Sequence, residues 1–231
     1  GLDLKGKKVA IVGTGASSMQ IAPSIADEVA ELTIFQRSPQ WARAIPRYHE
    51  TLSDGAQYLL ENIPLYAAWF RFTMFWRYAD GLLPFLKKDP DWPHPERAMN
   101  RINDRHREEM VTHIETKLAG RPDLIAKSMP AYPPYGKRIL LDNHWYDTLL
   151  KDNVTLYDEG VARFSETQVM GDKGHHCTPD IVIMATGFEV TKMASRLNIS
   201  SPAGNLSDVW NGDDPQAYLG ISVPDFPNFF M

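Results

Sequence analysis

The 231-residue sequence predicts an α/β fold: a parallel sheet flanked by helices and interrupted by a helical insertion. Three observations predict it. Val9-Ala10-Ile11-Val12 and Leu32-Thr33-Ile34-Phe35 are short apolar runs of the kind that form buried parallel strands. Between them a glycine turn leads into Met19 to Val29, which has helical spacing. From Tyr48 to Met129 the strand runs vanish and helical spacing dominates, which marks an insertion at about 48–129.

The first element carries the chemistry. Strand, glycine turn, helix and strand in about thirty residues form a Rossmann-like dinucleotide-binding unit. Gly13-Thr14-Gly15-Ala16-Ser17-Ser18 is its phosphate turn. Gly13 allows the sharp bend, Gly15 keeps a side chain away from the pyrophosphate, and the helix that follows aims free N–H groups at it. Ser18 replaces the third glycine of the fingerprint and is small enough for helix and strand to approach. The second strand ends in Gln36-Arg37-Ser38, where an enzyme using NAD places a carboxylate. A carboxylate repels a ribose 2′-phosphate and a guanidinium binds it, so the cofactor reads as NADP(H) with Arg37 as selector.

Composition sets limits. A net charge of −5 gives no electrostatic support to a nucleic-acid partner. The single cysteine, Cys177, excludes an internal disulfide and a dithiol redox pair, and fits a reducing cytoplasm. The aromatic segment Tyr66 to Phe85 is broken by Arg71, Arg77 and Asp80, so no membrane span is expected there. No signal peptide is visible, and both termini read as cut ends of an excised domain. The closing run from Val223 to Met231 reads as an extended segment.

The remaining elements follow in order. Trp41 either lines the cofactor groove or packs. Helices are expected at Leu52 to Glu61, Leu65 to Asp80, Glu96 to Leu118 and Asp123 to Lys127, separated by a proline-rich connector at Asp89 to Pro95. The aromatics of the second helix (Tyr66, Trp69, Phe70, Phe72, Phe75, Trp76, Tyr78) are expected to pack into a core; the competing reading is a surface covering a substrate pocket or another domain. His106 and His113, seven apart, are expected to be solvated. Ala131 to Arg138 is a structured loop ending in two cations. Residues 143–150 form a short helix, Val154 to Tyr157 a strand and Val161 to Met170 another, with a hairpin turn at Gly171-Asp172-Lys173-Gly174. His175-His176-Cys177 are consecutive, so they alternate across a strand and no metal site is expected. Asp180 to Phe188 is read as a buried strand ending in a tight turn.

Gly13-x-Gly15-x-Ser17-x-x-Gln20, Phe35 to Trp41, Gly136-Lys137-Arg138 and Asp180 to Phe188 resemble, in that order, the class B flavoprotein monooxygenases. Trp92 to Arg97, Ile102 to Arg107 and Asp142-Asn143 resemble the Baeyer–Villiger enzymes of the 4-hydroxyacetophenone monooxygenase type. The resemblance implies that all of 1–231 is an NADP-binding domain. It implies that Gly13, Thr14, Gly15, Ala16, Ser17, Ser18, Gln20, Arg37, Ser38, Lys137, Thr186 and Gly187 bind the cofactor. It further implies that Arg138, the second cation of the loop, is the catalytic arginine, and that the substrate is a ketone, in this subgroup an aryl ketone. FAD is expected in the intact parent and not on this chain, which holds one Gly-x-Gly and lacks an FAD fingerprint. The missing FAD domain is therefore an expected partner, and the chain alone is expected to be inactive. The alternatives are an isolated NADP(H)-binding module and the corresponding domain of an N- or S-oxygenating flavoprotein. A short-chain dehydrogenase is disfavoured because no tyrosine has a lysine four residues on.

Overall fold

A computed structural model describes residues 2–45, 50–189, 192, 197–212 and 214–231, and the chain divides into a unit of 1–186 and a unit of 187–231. The expected start of the insertion, Tyr48, lies outside the described residues.

In the first unit, β1 (Lys8–Val12) leads through the glycine turn to α1 (Ala16–Ile25) and β2 (Glu31–Phe35). A short strand β3 (Ala42–Arg43) precedes the insertion. Among the described residues, the stretch expected as an insertion comprises α2 (Asp54–Asn62), α3 (Tyr66–Tyr78), a 3-10 turn, α4 (Leu83–Leu86), α5 (Arg101–Lys117) and α6 (Pro122–Ser128). After it come β4 (Leu140–Leu141), α7 (Trp145–Leu149), β5 (Val154–Tyr157), β6 (Val161–Phe164), β7 (Val169–Gly171), β8 (His176–Cys177) and β9 (Ile181–Met184).

Among the described residues the main sheet runs β5-β2-β1-β9, all parallel. In-register pairing sets Val9 beside Leu32 and Ile181, and Ile11 beside Ile34 and Ile183. These side chains share one face, where Met19, Ala22 and Ile25 of α1 cover them. The alternating residues Ala10 and Phe35 point to the other face and pack on Val169 of the β6-β7-β8 meander. A βαβ crossover buries both faces of its central strands, which is why β1 reads as a continuous apolar run.

Several expectations are corrected. β9 is not buried throughout: Val182 and Met184, on one face of this edge strand, are exposed, Met184 at 58%. Residues 161–170 form two antiparallel strands rather than one, because the Ser165 N–H donates to Gln168 O and its Oγ accepts from Gln168 N–H, closing a turn. The α3 aromatics do not enter a core. Trp69 is 66% exposed and Phe75 75%, and Phe70, Phe72 and Trp76 are exposed too. They occur on every side of the helix, so no single face could bury them, and Phe72 lies instead between Trp69 (5.5 Å) and Trp76 (6.1 Å). By contrast, Met110 and Ile114 of α5, and Leu118 after it, join the main core. No described helix is long and apolar enough to cross a membrane.

Among its described residues the second unit holds two antiparallel strand pairs, β10 (Ser200–Ser201) with β11 (Gly204–Asn205) and β12 (Ser222–Val223) with β13 (Phe226–Phe230), and α8 (Leu206–Val209). Leu206, Trp210, Val223 and Phe226 form its core. The closing run is therefore not one extended segment: it folds back as a hairpin, with Asp225 in left-handed backbone at φ 65°.

Candidate functional site

The two glycines of the turn stand there for different reasons. Gly13 has φ 103°, and a Cβ there would lie 2.5 Å from Ala185 O. Its N–H donates to Phe35 O (2.9 Å), joining the turn to β2. The fold itself demands glycine at this point. Gly15 has an ordinary φ of −78° and open space where its Cβ would be. It is the N-cap of α1, with no side-chain cap and no acidic residue in the first turn. The free amides of that turn carry the positive end of the helix dipole. What glycine at 15 preserves is open access to those amides, so the cradle fits the pyrophosphate of a dinucleotide.

The neighbouring side chains divide into exposed and buried ones. Thr14 is buried and its Oγ1 donates to Ser38 O (3.2 Å), tying the turn to the end of β2. Ala16 and Ser17 are exposed on the first turn of α1. Ser18 is fully buried, and its hydroxyl has no hydrogen-bond partner among the described residues. Gln20 is exposed, and its amide Nε2 donates to Ala16 O (3.1 Å) within the helix. Thr186 follows Ala185 beside the turn: its Cα is 3.4 Å from the Cβ position of Gly13. Gly187, at φ 90°, is the first residue of the second unit.

The cations are brought together across the sequence. Gln36 is buried, with its N–H on Tyr157 O (2.8 Å) and its Nε2 on Lys127 O (2.6 Å). Arg37 comes next and is exposed; its Cγ passes 3.9 Å from the Cβ position of Gly160. The loop before Lys137 is fastened to the segment after β2. The Tyr132 hydroxyl donates to Pro39 O (3.0 Å), the indole N–H of Trp41 to Tyr132 O (2.8 Å) and Leu140 N–H to Trp41 O (2.8 Å). Trp41 is thus buried and packs rather than lining a groove. These bonds deliver Lys137 Nζ to Ser38 Oγ at 2.6 Å, across 99 residues of sequence, and 4.9 Å from the Tyr132 ring. Partial burial and then the charge of Arg37 push the Lys137 ammonium below its ordinary pKa. Among the described residues no carboxylate forms an ion pair with Arg37, Lys137 or Arg138. A lysine on the Ser38 hydroxyl, with the charge of Arg37 near enough to depress it, suits a dianion such as a phosphomonoester. Arg138 is exposed, one residue further on.

Sequence reasoning missed the residues that hold this loop. His113 is not solvated: its side chain is 16% exposed and its Nε2 lies 2.8 Å from Asp142 Oδ2. Nor is His106, which is half-buried with Nδ1 3.1 Å from the Tyr135 hydroxyl. Their partners lie 29 residues downstream, beyond the reach of any local pattern.

No family model matches the chain. It is 47% identical, over 99% of its length, to an uncharacterized monooxygenase of Sinorhizobium fredii, of which it covers 35%. It is 31% identical, over 98% of its length, to a Baeyer–Villiger monooxygenase of Streptomyces coelicolor, of which it covers 41%. The crystal structure of OTEMO in complex with FAD and NADP matches all of this chain with a TM-score of 0.72 at 24% identity, and 48% of that chain is covered. The fold is the mixed α/β fold, with a parallel sheet, of the NADP-binding domain of flavin monooxygenases. The chain thus spans between a third and a half of the length of the proteins it matches.

Proposed function

We propose that this chain is the NADP(H)-binding portion of an FAD-dependent Baeyer–Villiger monooxygenase that converts ketones, aryl ketones among them, to esters or lactones with O2. The observation that carries the reading is Lys137 Nζ at 2.6 Å from Ser38 Oγ, beside Arg37 and with no acidic partner among the described residues. Gly13 to Ser17 receive the pyrophosphate at the N-terminus of α1. Arg37, Ser38 and Lys137 hold the 2′-phosphate, which excludes NAD(H) by leaving their charges unmatched when it is bound. Thr186 borders the turn, and Gly187 follows it.

Flavin, held by the part of the protein outside this chain, supplies oxygen activation when bound. Arg138 supplies a fixed guanidinium to the negative charge that develops during oxygenation. Its position beside Lys137 gives one loop two tasks, one at the cofactor phosphate and one at the reacting oxygen. The test uses the full-length protein containing this chain, assayed with NADPH, O2 and an aryl methyl ketone. Arg138→Ala is expected to leave NADPH oxidation running with release of hydrogen peroxide, while ester formation falls about a hundred- to a thousandfold. Ester formation at a near-normal rate in that variant overturns the assignment.

A further inference from the structure

The insertion does more than interrupt the domain: its helix α5 touches the cation loop at two adjacent points. Asn103, fully buried, donates from Nδ2 to Phe85 O (3.0 Å) and Pro134 O (3.1 Å). His106, about one turn further along α5, has Nδ1 3.1 Å from the hydroxyl of Tyr135. The His106 and Tyr135 rings lie 5.7 Å apart, and the Phe85 ring is 5.6 Å from one and 6.1 Å from the other. Between the loop's anchors Tyr135 stands in left-handed backbone at φ 69°, a conformation that a bulky residue keeps only when its surroundings impose it. The next residue is Gly136, where a Cβ would come within 3.1 Å of both Pro133 O and the Tyr132 ring. Lys137 and Arg138 follow directly.

We infer that the His106–Tyr135 hydrogen bond is a latch by which the helical insertion fixes the left-handed turn at Tyr135 and so aims Lys137 and Arg138. His106 and Tyr135 are positioning residues: they act through the cations and touch no cofactor. The inference rests on the NADP reading of the site. Burial holds the His106 imidazole below its ordinary pKa, Arg43 on β3 pushes the same way, and Glu109 on its own helix opposes them. An unprotonated Nδ1 accepts the Tyr135 O–H. A protonated one can only donate, so the hydroxyl must turn and the latch is remade in a different geometry.

The test is calorimetric titration of the chain with NADPH and NADH across pH. The variants are His106→Leu, Tyr135→Phe and His106→Asn. The first two remove one partner of the bond and are expected to weaken NADPH binding about five- to tenfold, the worth of one hydrogen bond, with NADH affinity unchanged. Asparagine presents an acceptor near the position of Nδ1 and does not titrate. His106→Asn is therefore expected to keep NADPH affinity and to flatten the acid side of the pH profile that the histidine contributes. The phosphate's own titration is common to all variants and cancels. If the unaltered chain prefers NADPH and both deletion variants prefer it equally, the latch is overturned while the NADP reading stands. Equal loss of NADPH and NADH affinity also overturns it, since that marks general damage rather than aim. Equal affinity of the unaltered chain for the two cofactors overturns the NADP reading and the latch with it.

Discussion

The glycine turn after β1 and the Lys137–Arg138 loop serve the same proposed ligand, yet they are built in contrasting ways. The turn works with backbone: free amides of α1, exposed by Gly15, that lie within a few residues of one another, with Ala185 packed behind Gly13. The loop works with side-chain charge, and Lys137 meets Ser38 across 99 residues because Tyr132, Trp41 and Leu140 fasten the two segments together. A backbone site comes with its secondary structure and needs little support. A side-chain site depends on everything that orients the loop, including a helix of the insertion. Damage to the first is therefore a matter of local geometry, and damage to the second can be inflicted from a distance.

Substitutions at the two glycines break the comparison hardest, and they should fail differently. Gly13→Ala forces a strained φ and a Cβ into Ala185 O, which together should cost about 2–5 kcal/mol of unfolding free energy. Gly15→Ala meets no atom of the protein and should cost less than about 1 kcal/mol, while its methyl group blocks the approach to the amides and lowers NADP(H) affinity tenfold or more. Denaturant unfolding and calorimetric titration of both variants check this. Equal stability of the two would show that Gly13 is not required by the fold.

A smaller effect is expected at the side-chain site. Arg37→Ala removes one charge-assisted contact and should weaken NADPH by about 1.5–3 kcal/mol, leaving NADH unaffected. Burial, the main cause of the lowered Lys137 pKa, stays, but Arg37→Ala removes the repulsion that adds to it, so that pKa should rise. A lysine with a lowered pKa sheds its proton earlier as pH rises, so NADPH binding by the unaltered chain should weaken early on the alkaline side. Arg37→Ala should move that limb to higher pH. Titrations at stepped pH values read both effects, and an unmoved limb would separate Lys137 from Arg37.

What the sequence made legible follows the same division. β1, the turn, α1 and β2 were readable because strand, glycine and helix signals are local and agree with one another. The place of Arg37, just past the end of β2, was readable because it stands at a fixed offset from that unit. The helices of the insertion were readable as helices, but the environment of their faces was not. Spacing predicts a helix at Leu65 to Asp80, found at Tyr66–Tyr78, and it cannot tell that Trp69 and Phe75 stay exposed. His106 and His113 looked solvated because Tyr135 and Asp142, the groups that hold them, come later in the chain and arrive only by tertiary folding. The split of residues 161–170 turned on a short serine-to-glutamine turn within an otherwise strand-like run.

Both regions can be read in one measurement, phosphorus NMR of NADP+ titrated with the chain. The pyrophosphate resonances report the glycine turn, and the 2′-phosphate resonance reports Arg37, Ser38 and Lys137. The account predicts that both sets shift with a common dissociation constant and that the 2′-phosphate pKa falls on binding, because neighbouring cations favour its dianion. A pyrophosphate shift with an unmoved 2′-phosphate resonance and an unchanged pKa would contradict it.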